Sequence, residues 1–100
     1  MQREQTIAKL KATEPVLRAQ GVSALYLFGS HARGDADPDS DIDVFVDPYS
    51  AERFGFLPFM RVYQTIQEAF GPQVEIGYST REGLDNYIRA DVEREAIRVF

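Results

Sequence analysis

The stretch that most limits what this chain can become is residues 27–46, reading LFGSHARGDADPDSDIDVFV. In its second half Ile42, Val44 and Val46 alternate with Asp41, Asp43 and Phe45, the period of a strand with one face on a core. Asp41 and Asp43 then point the same way, roughly 6.6 Å apart along the backbone. Two like charges on one face call for a cation. In the first half, the β-forming run VSALYLF (residues 22–28) stops at Gly29, residues 30–33 allow one turn of helix, and Gly34 closes it. Gly29-Ser30 therefore opens a helical turn directly after a strand, the arrangement in which backbone N–H groups collect a phosphate. Gly29 also lets the backbone approach a ligand closely. A phosphate seat beside paired carboxylates points to phosphoryl or nucleotidyl transfer.

The charge distribution agrees. The net charge is -5 and the pI about 4.7, which disfavours sequence-blind binding of nucleic acid, since that affinity comes from Lys and Arg on phosphates. Six of the sixteen acidic residues fall in residues 35–47, where there is no Lys or Arg. The negative charge is concentrated at one site. One hundred residues, 44% of them hydrophobic, predict a single small domain over residues 1–100. Zero cysteines exclude disulfides, thiolate metal sites and a cysteine nucleophile. No apolar run is long enough to span a bilayer, and the first residues lack the apolar core of a signal peptide, so a soluble, cytoplasmic protein is expected.

The remaining segments read as scaffold. Residues 2–11 have weak helical periodicity through Ile7 and Leu10. Thr13 has the character of an N-cap for a second helix, with Pro15 in its first turn, Val16 and Leu17 inside it and Gly21 at its end. Pro58 fits the first turn of a helix running to Phe70, with Phe59, Val62, Tyr63, Ile66 and Phe70 on one face. Residues 73–78, QVEIGY, read as a third strand. Ser79 and Glu82 have capping-box spacing ahead of a last helix marked by Leu84, Ile88 and Val92. Residues 96–100 either finish that helix or add an edge strand.

On the third strand Glu75 has the parity to join Asp41 and Asp43 on the same sheet face. Mg²⁺ is usually held by a few carboxylates together with substrate phosphates. Three carboxylates and a triphosphate have the capacity for two such ions, the arrangement that stabilises attacking and leaving oxygens in an in-line displacement. Ser30 can offer its hydroxyl and N–H groups to the outgoing pyrophosphate. Arg33 either neutralises phosphate charge or pairs with the acidic loop.

The residues GSHARG at 29–34 and SDID at 40–43 resemble the G-S-x-A-R-G and S-D-x-D signature of polymerase-β-like nucleotidyltransferases. More narrowly, the chain is similar to the minimal (MNT) group found as antitoxins beside HEPN-domain toxins. The resemblance covers nearly the whole chain. It implies an α/β (α+β) fold with a small mixed sheet and helices packed on one face, Gly29 and Ser30 on nucleotide phosphates, and Mg²⁺ on Asp41 and Asp43. The third carboxylate of the family is often Asp in a V-D-L strand, and it maps onto Glu75, a departure that leaves ligand and base both open for that residue. The resemblance further implies transfer of AMP from ATP to a tyrosine of the partner toxin, encoded by an adjacent gene, within a hetero-oligomer. A chain without an added acceptor-binding domain fits a partner that completes the site.

Blander readings stand beside these. Asp35, Asp37 and Asp39 read as a solvated turn. An EF-hand needs Gly at its sixth position and Glu at its twelfth, where the chain has Ser40 and Val46. His31, at the variable motif position, reads as an exposed polar residue, and Glu75 as an exposed strand residue in the bland case. The apolar residues of 54–60 are either core or a partner surface. The rival function is a non-enzymatic antitoxin that masks its toxin.

Overall fold

A computed structural model describes residues 2–100. Helices α1 (Arg3–Lys11) and α2 (Glu14–Ala19) lead into strand β1 (Val22–Phe28), the short helix α3 (Gly29–Arg33) and strand β2 (Ile42–Pro48). Helix α4 (Phe56–Phe70), strand β3 (Ile76–Thr80), helix α5 (Asn86–Glu95) and strand β4 (Ile97–Arg98) follow. The sheet is mixed, in the order β3-β2-β1-β4. β2 lies antiparallel to β1, with Phe28 opposite Asp43, and parallel to β3, with Asp43 opposite Gly77. No helix among the described residues is long and apolar enough to cross a membrane.

Alternation along the strands divides the side chains between two faces. Leu25, Leu27, Ile42, Val44 and Val46 pack with Leu10 of α1, Leu17 of α2 and Val62, Ile66 and Phe70 of α4. Each fully buried aliphatic chain contributes about 1.5–3 kcal/mol, so this face carries most of the fold. The opposite face holds Asp43, and helix α5 covers part of it. There Phe45 is wholly buried against Leu84 and Val92, with Tyr26 stacked on it at 4.7 Å. Arg81 closes this smaller cluster. Its guanidinium lies 5.0 Å from the Phe45 ring and donates to both carboxylate oxygens of Asp47 at 2.9 Å.

Some local expectations shift. The third strand begins at Ile76 rather than residue 73, because the Gln67 amide at the end of α4 donates to the carbonyls of Gly71 and Val74 and holds that segment as a turn. Ser79 lies within β3, and the cap of α5 is Asp85, whose carboxylate accepts from Tyr87 N–H at 2.9 Å. Thr13 stands at the N-cap of α2 as expected, but its hydroxyl donates back to Leu10 O and makes no side-chain cap bond. Ile88 is exposed while Leu84 and Val92 are buried. The last residues leave α5 and pair with β1 as the edge strand β4. The apolar run of residues 54–60 divides. Phe59 stacks on Tyr78 with ring centres 4.4 Å apart, whereas Phe56 and Leu57 are exposed.

Candidate active site

The turn after β1 is built from its glycines. Gly29 takes φ +74, which reverses the chain from strand into α3, and Gly34 ends that helix at φ +81. The N–H groups of Gly34 and Asp35 both donate to Ser30 O. Helix α1 braces the turn from outside, where Arg3 Nη1 donates to Ala32 O at 3.1 Å. His31 is buried, not exposed as its place in the sequence suggests. The packing of α1 turns it inward, with Nδ1 3.3 Å from Thr6 Oγ1 and Nε2 3.5 Å from Ser40 O. It pins the turn to the acidic loop.

That loop is an ordered turn. Asp37 N–H donates to Ser40 Oγ at 3.0 Å, and the Asp37 carboxylate accepts from Asp39 N–H at 2.9 Å. Asp35, Asp37 and Asp39 are exposed, as expected for solvated turn residues. The chain leaves the loop through Asp41, exposed at the mouth, and reaches Asp43, half-buried at the end of the β1-β2 pair.

Asp43 sits between two glycines. A Cβ added to Gly29 would overlap its Oδ2, and one added to Gly77 would overlap its Oδ1. Gly29 needs glycine twice over, for its φ and for this contact. Gly77 has an ordinary φ, so the contact with Asp43 alone asks for glycine there. Burial, followed by the nearby charge of Asp41, raises the Asp43 carboxyl above its usual range. The role of Gly77 escaped the sequence, since it depends on a register between strands far apart in the chain.

The other sequence candidates are dispersed around this pair. Glu75 precedes β3, where its carbonyl accepts from Ile42 N–H at 2.9 Å. It is exposed, and it shares with Asp41 the lining of an open cleft of about 310 Å³. Among the described residues, no three acidic or imidazole side chains stand close enough to hold one ion together. Arg33 pairs with Asp35 at 3.3 Å, so in this structure it braces the acidic loop. It also reaches Glu95, the last residue of α5, whose Oε1 accepts from Gly29 N–H at 3.1 Å. Glu95 is a site neighbour that motif reading passes over.

The donor set fits Mg²⁺. Two adjacent carboxylates, one paying an electrostatic penalty for its neighbour's charge, match a hard cation that binds one or two carboxylates and completes its shell with phosphates and water. Asp41 and Asp43 would hold it, and when bound it supplies charge neutralisation at a transferring phosphoryl group. The N–H groups of Ser30 and His31 and the Ser30 hydroxyl lie on the adjoining turn, donors of the kind that phosphate oxygens take.

Known proteins share this construction. The family model described as "Nucleotidyltransferase domain" matches residues 10–99. The protein adenylyltransferase MntA of Thermococcus cleftensis is 32% identical over 79 residues, covering 79% of this chain and 76% of that protein. A solved structure described as a candidate minimal nucleotidyltransferase is 30% identical and superposes with a TM-score of 0.78, covering 97% of this chain and 95% of its own. A crystal structure of a toxin-antitoxin with AMP-PNP shares the fold at 18% identity, with a TM-score of 0.70 and coverage of 92% and 72%. With this match along almost its whole length, the chain belongs to the nucleotidyltransferase domain family, in its minimal form.

Proposed function

We propose that this nucleotidyltransferase transfers AMP from Mg²⁺-ATP to a hydroxyl, by preference a tyrosine hydroxyl, of a HEPN-domain toxin encoded by an adjacent gene, and thereby silences it in the cytoplasm. The observation that carries the reading is the Asp43 carboxylate lodged between Gly29 and Gly77, beside Asp41 and the start of α3. The adenylyltransferase relatives support AMP as the group moved, and the toxin-antitoxin neighbour supports a toxin as acceptor.

In the reaction the acceptor oxygen attacks the α-phosphorus, the bond to the bridging oxygen breaks, and pyrophosphate leaves. Ser30 Oγ and the N–H groups at the start of α3 hold the outgoing phosphates and offset their growing charge. Asp41 and Asp43 would hold the Mg²⁺, which would neutralise charge on the triphosphate. Glu75, which lines the same cleft as Asp41, takes the proton of the acceptor hydroxyl or adds a ligand from the rim. The open cleft leaves the acceptor side to the partner.

The test is incubation with α-labelled ATP, Mg²⁺ and the product of the adjacent gene. Label on the partner, lost with Asp41→Asn plus Asp43→Asn, is the expected result. Neutralisation of the toxin that persists in that double variant would assign silencing to masking instead.

A further inference from the structure

We infer that Glu95 is a positioning residue for the phosphate turn, fixing the Gly29 peptide so that the following N–H groups face the nucleotide. The inference rests on the nucleotide site proposed above and extends it to a residue outside the motif. Glu95 Oε1 accepts from Gly29 N–H at 3.1 Å and from Arg33 Nη1 at 3.3 Å, while Oε2 accepts from the same Arg33 nitrogen at 3.3 Å. One carboxylate thus grips both ends of α3.

Its own position is fixed. Glu95 ends α5, and the next residues pair with β1, Ile97 opposite Leu27 and Arg98 opposite Tyr26. The backbone bearing Glu95 is therefore fastened to the strand that delivers Gly29. Gly29 needs such a hold, because glycine has the widest conformational freedom of any residue. Its peptide also forms the wall against Asp43 Oδ2, so rotation there would disturb the phosphate donors and the carboxylate together. Glu95 engages only the first N–H of α3 and leaves those of Ser30 and His31 to phosphate. A carboxylate that merely held the place of a phosphate would have to be displaced by nucleotide, and its removal would tighten binding.

The experiment compares the full chain with Glu95→Ala and Glu95→Gln. Calorimetry with Mg²⁺-ATP gives affinity, and amide hydrogen exchange at Gly29 without nucleotide gives the state of the peptide. Glu95→Ala is expected to weaken Mg²⁺-ATP binding by about tenfold or more, the loss typical of a charge-assisted hydrogen bond. Its melting temperature should be unchanged and its Gly29 exchange faster. Glu95→Gln keeps an acceptor for Gly29 N–H and should bind within about threefold of wild type. If Glu95→Ala fails to fold, Glu95→Asp, too short to reach both donors, carries the same expectation. Binding by Glu95→Ala equal to or tighter than wild type overturns the positioning role while leaving the nucleotide site standing. A wild-type chain that does not bind Mg²⁺-ATP refutes the site itself, and the inference with it.

Discussion

Adding a single methyl group at Gly77 tests the seating of Asp43. Gly77→Ala places Cβ on Asp43 Oδ1, and Gly29 blocks escape on the Oδ2 side, so the carboxylate must leave its position or the strands must part. Overpacking of this kind costs about 1–3 kcal/mol. Against this, alanine at an unstrained backbone position gains about 0.4–1 kcal/mol through the unfolded state, and the net loss is about 0.5–2 kcal/mol. In an Asp43→Ala background the obstructing Oδ1 is gone, and the nearest remaining atom of residue 43 is its Cα at 3.8 Å. There the same substitution should stabilise by about 0.4–1 kcal/mol. Equilibrium urea denaturation of the four proteins measures the coupling, expected at about 1–3 kcal/mol. Gly77→Ala alone should also lose most nucleotide transfer while remaining folded. Additivity within about 0.5 kcal/mol, with the same sign in both backgrounds, would show that Asp43 is not confined by Gly77.

Three further outcomes are expected. Asp43, its carboxyl raised first by burial and then by Asp41, binds a proton more readily folded than unfolded, so its contribution to stability is complete below its unfolded value of 3.8 and is lost as pH rises through the higher folded value. Asp43→Asn should therefore gain stability over wild type with rising pH, and a constant difference between their urea midpoints would contradict this. Ser30→Ala should weaken Mg²⁺-ATP binding by about tenfold with an unchanged melting temperature, since a hydrogen bond to a charged phosphate contributes about 1.5–3 kcal/mol; unfolding of that variant would make Ser30 a structural cap. Phe45→Ala should cost about 3–5 kcal/mol, whereas Phe56→Ala and Leu57→Ala should each stay within about 0.5 kcal/mol, as urea titration of each will show.

The part of the fold legible in the sequence is the part written in local periodicity. Strand β1, the α3 turn with its closing Gly34 and strand β2 all fall where alternation and glycine placement put them. What escaped depends on contacts distant in the chain. His31 is buried because α1 folds over it from 25 positions away. The β3 boundary moved because the Gln67 side chain captures Val74 O, which propensity alone does not reveal. Glu95 lies 66 positions from the Gly29 N–H it engages, in a helix whose sequence shows only amphipathic spacing. Glu75 lines the same cleft as Asp41, but parity does not report that it precedes the strand and stands exposed.

The two glycines around Asp43 also set a rule of length. At position 43 the two glycines flank both carboxylate oxygens, so the added methylene of Glu would carry its carboxylate out past these walls and away from the place Asp holds. At position 75 the side chain borders an open cleft, and either acid can be accommodated by a change of rotamer. The structure thus restricts the length of an acid at position 43 and leaves it free at position 75. The Glu that stands where the resemblance implies an Asp falls at the position where the structure leaves room for it.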